Sequence, residues 1–145
     1  MVTFQLGDGA LIAHISQFPS GQYKKAHRHG PGAHVIILSG KGYSLLWPGG
    51  GERKRVDWQP GSLVVPPNDF FHQHFNAGAE PARYLAMRWG SRKHLINHSY
   101  EGTLVDRRQG GNQIEYDEQA PLIDELFERE CARHGVRFVP LRTRG

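Results

Sequence analysis

The stretch His27-Arg28-His29-Gly30-Pro31-Gly32-Ala33-His34 places three histidines within eight residues, and His72-Gln73-His74-Phe75-Asn76 adds two more further along. Five of the chain's nine histidines therefore fall between positions 27 and 74. Residues two apart on a strand point to the same face, so His27 and His29 can share one ion, and His72, His74 and Asn76 again have common parity. The Gly30-Pro31-Gly32 interruption resets the register and lets His34 re-enter on that face. Imidazole is the commonest side chain for zinc, copper, iron and nickel. To bind, each ring must be neutral and held by a partner on its other nitrogen.

Outward from these segments, the chain from Val2 to Trp89 is a series of short β-type runs separated by Gly/Pro punctuation. Leu11 to Phe18 alternates as a strand and stops at Pro19-Ser20-Gly21. His34 to Leu38 is almost continuously apolar. Tyr43 to Trp47 and Arg53 to Trp58 form a hairpin around Gly49-Gly50-Gly51, and Ser62 to Val65, Phe70 to Asn76 and Arg83 to Trp89 complete the series. Many short strands with no helical period between them predict an antiparallel sandwich or barrel.

After Gly90 the character changes. Ser91 to Gln119 is polar and irregular, and reads as an arm on a partner or as a lid. Pro121 to Arg133 is a predicted helix, with Pro121 in the first turn, Asp124 and Glu125 suited to its dipole, and Gly135 at the stop. Leu122, Ile123, Leu126, Phe127 and Glu130/Cys131 make an apolar stripe that would pack on the barrel or on a partner. Cys131 on that stripe reads as a buried small side chain rather than a nucleophile. The expected organisation is one domain, with the barrel and its metal site at 1–90 and the arm and helix at 91–145.

Composition bounds the function. The 145 residues suit one domain, and 38% apolar with 22% charged residues is ordinary for a globular protein. No stretch has the roughly 20 apolar residues of a membrane span. Met1 to Ala10 lacks the basic and apolar segments of a signal peptide, so none is expected. The single cysteine excludes an intrachain disulfide and suits a reducing compartment, the cytoplasm by default. The net charge of +4 is scattered in twos and threes, as in Lys24-Lys25 and Arg53-Lys54-Arg55. That distribution suits a basic surface attracting anionic substrates better than a nucleic-acid interface. Neither nucleic acid nor membrane is an expected partner. No Gly-x-Ser-x-Gly elbow, phosphate-binding Gly-rich loop or dinucleotide fingerprint is present.

With these residues in place, the chain resembles the cupin superfamily from about Leu11 to Trp89. The first cupin motif runs Gly, five residues, His-x-His, three or four residues, Glu, six residues, Gly; here it is similar to Gly21, His27, His29, then His34 where glutamate belongs, and Gly40 one residue early. The second runs Gly, five residues, Pro-x-Gly, two residues, His, three residues, Asn. Gly61, Pro67, His72 and Asn76 match it, with Asp69 in place of the middle glycine. The segments around His27 and His72 also resemble those of gentisate-type ring-cleaving cupins, which have two barrels in a longer chain.

The resemblance implies an all-β fold, a jelly-roll barrel or double-stranded β-helix with a C-terminal helix and one metal at its centre. It carries over His27, His29 and His72 as ligands, with position 34 the fourth. Fe(II) is the expected metal, with Mn, Ni or Zn as alternatives. His34 either binds or stands beside the open positions as an acid/base. His74 is a candidate for proton transfer or a hydrogen-bonded barrel histidine. Arg88 would clamp a carboxylate if it points inward, and is a surface charge if it points outward. His14, His94, His98 and His134 read as surface residues or as partners of ligands. Trp47, Trp58, Phe70 and Phe71 read as core.

The expected function is a dioxygenase acting on a small anionic substrate, aromatic or keto-acid-like, with dioxygen as co-substrate. The alternatives are a metal-dependent isomerase, lyase or hydrolase of a sugar-like or keto acid, a non-catalytic metal- or ligand-binding cupin, and a structural zinc site. A homodimer is expected, because the barrel edge and the arm need a partner surface.

Overall fold

Two antiparallel sheets face each other, and the parity of each strand decides which side chains the space between them holds. The computed structural model describes residues 1–30, 33–90 and 103–141. Its strands are β1 (Val2–Gln5), β2 (Leu11–Phe18), β3 (Gln22–Tyr23), β4 (Ala26–His27), β5 (His34–Ser39), β6 (Gly42–Trp47), β7 (Lys54–Trp58), β8 (Leu63–Val64), β9 (Phe71–Asn76), β10 (Ala82–Trp89) and β11 (Gln113–Ile114), followed by helix α1 (Pro121–Arg133). The first sheet has the order β1-β2-β10-β5-β8. The second has the order β11-β4-β9-β6-β7, and β3 also pairs with β9. The chain is thus the expected all-β barrel with one C-terminal helix. Among the described residues no helix is long and apolar enough to cross a membrane.

Strand β9 is the hinge of the architecture, because all six of its residues are buried and its two faces do different work. His72, His74 and Asn76 have one parity and share the barrel face. Phe71, Gln73 and Phe75 have the other and lie beneath the C-terminal segment. On that outer face Tyr23, Tyr43 and Phe75 pack with Ile123, Phe127 and Cys131 of α1, and the Tyr43 and Phe75 rings stack at 4.6 Å. The buried row Ile123–Phe127–Cys131 has i, i+4 spacing. Leu122 and Leu126 of the expected stripe are exposed instead. Cys131 is fully buried and its thiol is pushed up to about 11 by that burial, so it is packing and not a nucleophile.

Inside the barrel, Phe18, Val35, Ile37, Trp58, Val64 and Ala82 form an apolar cluster at one end. Trp47 and Phe71, expected in the core, are buried and stacked at 5.6 Å outside it, while Phe70 is half-buried. Turns are set by a few residues that tolerate left-handed backbone. Gly21 has φ +68 and would drive a Cβ to 1.9 Å from the Arg137 carbonyl oxygen, so no other residue fits there.

Part of the polar arm lies on the chain's own second sheet: β11 pairs with β4, Gln113 opposite His27. The remainder of the arm, residues 91–102, lies outside the described residues, as do His94 and His98. The outer face of the first sheet is left uncovered by any described element. Across it Val2 pairs with Ile15, and Phe4 with Ala13. Leu11 pairs with Trp89, and Ile36 with Leu63. Phe4, Leu11, Leu38, Leu63 and Trp89 on this sheet are all exposed by 41% or more.

Candidate metal centre

β4 and β9 run side by side with His27 directly opposite His72, and His29 follows two residues after His27. The ring centroids of His27 and His72 are 4.4 Å apart, and those of His29 and His72 4.9 Å. One ligand atom from each of His27, His29 and His72 falls within 4.8 Å of the others. β11 holds β4 in this position from its far side. Arg28 donates through Nε to Asn112 Oδ1 at 2.9 Å, Lys25 pairs with Glu115, and the Tyr116 hydroxyl donates to the Tyr23 carbonyl at 3.1 Å.

The tautomers of two rings follow from their neighbours. His27 Nδ1 lies 3.3 Å from the Lys25 carbonyl and His72 Nδ1 3.1 Å from the Phe70 carbonyl. A carbonyl only accepts, so each Nδ1 carries its proton and each Nε2 presents a lone pair. Burial holds His27 and His72 well below the usual imidazole range, and neighbouring histidines lower them further. Burial and the Arg88 charge lower His29 to about 4. Three neutral imidazoles on converging strands fit a divalent transition metal, and the ligand set proposed here is these three.

His34 does not join them. It is exposed at the start of β5, opposite Met87. The strand resumes with Val35 and Ile37 facing inward, so the opposite parity turns His34 out. The glycine-proline interruption therefore does not return this side chain to the cavity, and the expectation of a fourth ligand or an acid/base at position 34 is corrected. Asp69 stands where the motif has its middle glycine and takes the left-handed conformation itself, with φ 59. Its carboxylate is the charge that partly offsets the lowering at His29.

The other candidates line the same interior. His74 is buried beside His72, at 5.8 Å between centroids, and its Nδ1 is held at 2.7 Å by Ser44 Oγ. Ser44 Oγ also accepts from the Trp58 indole N–H at 3.0 Å. This leaves Nε2 as the His74 nitrogen available to the cavity, and burial lowers the ring to about 3. Arg88 is 8% exposed, so it points inward, against the reading of a surface charge. The register gives the reason: Arg88, Ala86, Tyr84 and Ala82 sit opposite Ile12, His14, Ser16 and Phe18, and these two rows form the inner wall.

His14, read from sequence as a surface residue or a partner of a ligand, belongs to this wall. Burial and the Arg88 charge lower it to about 4. Lys24, Ser16 and Tyr84 also face the interior, and sequence reasoning assigned them no role. The available signal was the even parity shared by His14, Ser16 and Phe18, which matches Tyr84, Ala86 and Arg88 only once the strands are paired. Asn76 has a structural task, its amide donating to the Pro19 and Glu80 carbonyls at 3.1 and 2.8 Å. His134 caps α1 and contacts Glu130 at 3.3 Å.

No protein-family model matches the chain. It is 29% identical over 105 residues to glucose-6-phosphate isomerase of Pyrococcus abyssi, covering 70% of this chain and 53% of that protein. Glucose-6-phosphate isomerase of Pyrococcus horikoshii is 30% identical over 89 residues, covering 61% and 44% respectively. The chain thus spans about half the length of the curated relatives it matches. Among solved structures, oxalate decarboxylase from Bacillus subtilis superposes with a TM-score of 0.53 at 20% identity, over 56% of this chain and 22% of that one. Another structure of that enzyme, which has Mn(II) centres, gives 0.54 at 19%, over 60% and 23%.

Proposed function

We propose that this chain, a barrel of the cupin fold, is a metal-dependent enzyme that takes a small anionic substrate, with dioxygen as co-substrate. The observation that carries the reading is the convergence of three neutral histidines with no carboxylate among them. Such a set leaves the full dication charge to attract an anion. It also leaves the remaining coordination positions to small molecules. Fe(II) is the metal proposed, with Mn, Ni or Zn as alternatives; the Mn(II) centres of the structurally similar decarboxylase support manganese among these.

The bound metal would hold and polarise an oxygen donor of the substrate and, if iron, supply the redox chemistry of dioxygen. The chain's own residues then have distinct tasks. Arg88, buried beside His29, pairs with the substrate carboxylate as a planar two-pronged donor. His74, neutral and fixed by Ser44, gives or takes a proton at Nε2. The apolar cluster of Val35, Ile37, Trp58 and Val64 excludes water from the far end.

A second reading, a metal-dependent isomerase or lyase, is favoured by His74, a proton carrier that oxygen insertion does not require. The similar proteins, an isomerase and a decarboxylase, support this reading and not the dioxygenase class. Protein purified without oxygen, then loaded with iron or manganese, separates the two when offered small keto acids, gentisate and catechols. Oxygen consumption that requires iron supports the dioxygenase. Turnover under nitrogen supports the isomerase or lyase. Tight metal binding with neither would leave a non-catalytic binding protein.

The exposed apolar face of the first sheet is proposed to be covered by a second copy of the chain. The opposite sheet is covered by α1, whereas among the described residues nothing covers the apolar side chains of this face, which a two-fold-related copy can bury. Sedimentation at micromolar concentration is expected to give a dimer, and Phe4→Glu with Leu38→Glu a monomer. A wild-type monomer would remove this part of the proposal.

A further inference from the structure

Lys24 is placed as the floor of the cavity. Its backbone N–H donates to the His74 carbonyl at 2.9 Å, which ties it to the second sheet. Its side chain then crosses the interior to the first sheet. There Nζ donates to Tyr84 Oη at 2.9 Å and to Ser16 Oγ. The ammonium lies 5.0 Å from the centroid of the Tyr84 ring and 5.7 Å from that of Phe18. Half-buried among aromatic rings, this cation has hydroxyls for partners. Among the described residues no carboxylate reaches it, and the only buried carboxylate is Glu130, which lies on α1 outside the barrel and pairs with Arg55.

Arg88 stands at the other end of the same wall. Along β10 the inward side chains run Arg88, Ala86, Tyr84, so Arg88 and the Tyr84 that holds the Lys24 ammonium are about 13 Å apart at the backbone, four residues at about 3.3 Å each. The side chain between them on β10 is the small Ala86, which lies opposite His14. A partly buried cation with neutral partners has more to gain from an incoming anion than an exposed lysine, because water screens it less.

We infer that Lys24, with Tyr84 and Ser16, is a second anion subsite, and that the substrate carries two anionic groups. One binds at the histidines and Arg88, the other, carboxylate or phosphate, at Lys24. This inference rests on the proposed anion-binding role of the metal centre. The alternative role for Lys24 is a strut that joins the two sheets.

Calorimetric titration of Mn(II)-loaded protein with matched probes separates these. 2-Oxoglutarate and 2-oxovalerate differ by the distal carboxylate, and 3-phosphoglycerate and glycerate by the phosphate. The member of at least one pair that carries both anionic groups is expected to bind about tenfold or more tightly than its partner, the size of one charge-assisted contact. The pair that shows the advantage identifies the distal group. Lys24→Met is expected to remove that advantage while leaving 2-oxovalerate or glycerate affinity unchanged, and Lys24→Arg to restore most of it. Tyr84→Phe, which keeps the charge, should lose part of the advantage and provides the reading if Lys24→Met does not fold.

No advantage for either probe with two anionic groups overturns the inference. So does an equal weakening of both members of a pair, which is the signature of a strut. Failure of the underlying reading looks different: the monoanionic probes would then bind equally well with and without metal.

Discussion

His72→Ala is expected to abolish stoichiometric metal binding, lowering affinity by more than about 100-fold, beyond what loss of a supporting residue causes. His72 is the common neighbour of the set, its ring 4.4 Å from His27 and 4.9 Å from His29. Its Nδ1 is committed to the Phe70 carbonyl, so the lost Nε2 has no substitute on the same strand position. His74 cannot replace it, because Ser44 holds that ring further along β9. His34→Ala is the matched control. That side chain is exposed on the outer parity of β5, and its removal should leave metal affinity within about twofold. Metal content after dialysis and competition with a chelator measure both variants. Near-normal metal in His72→Ala, or a large loss in His34→Ala, would refute the three-histidine assignment.

Acid sensitivity of the metal-free protein is the second large effect. His27 and His72 lie well below the usual imidazole range, His14 and His29 at about 4 and His74 at about 3, each chiefly through burial. Below about pH 6.5 the unfolded chain takes up protons on these rings that the folded chain refuses, so stability rises with pH across this window. Their neutral burial is fully tolerated above pH 6.5, and stability falls as the pH drops towards 4.

For His29 alone the shift from 6.5 to about 4 corresponds to roughly 3 kcal/mol. That is a large part of a typical domain's stability of about 5–15 kcal/mol. Thermal melts of chelator-treated protein from pH 7.5 to 4.5 should therefore show a steep loss. Added metal should raise the melting temperature at pH 7.5, by about 2.7 kcal/mol of stability at 100 times Kd. The gain should shrink with acid, as protons compete for the same nitrogens. A flat profile without metal would contradict the burial of these rings.

The extents of β2 and α1, Leu11–Phe18 and Pro121–Arg133, were legible because each carries its own period and its own stop signals. The pairing of His27-x-His29 with His72 was legible because two motifs with preserved spacing reach the same point. Asp69 shows how far such spacing carries: the position needs left-handed backbone, and an aspartate supplies it where glycine is usual.

Parity across a loop was not legible. Whether His34 returned to the cavity depended on how Gly30 to Ala33 spent four residues, and one residue either way exchanges inside for outside. Strand register was equally hidden. Arg88 and His14 are inward because β10 and β2 align Ala86 with His14, a long-range pairing that no local pattern encodes. Lys24 acquired a role only when its side chain met Ser16 and Tyr84 from the opposite sheet. The sequence by itself determined the barrel, its helix and the convergence of three histidines able to hold one ion, since these follow from local period and spacing. The tertiary structure decided which charges share the cavity with them, since facing is set by the pairing of strands far apart in the chain.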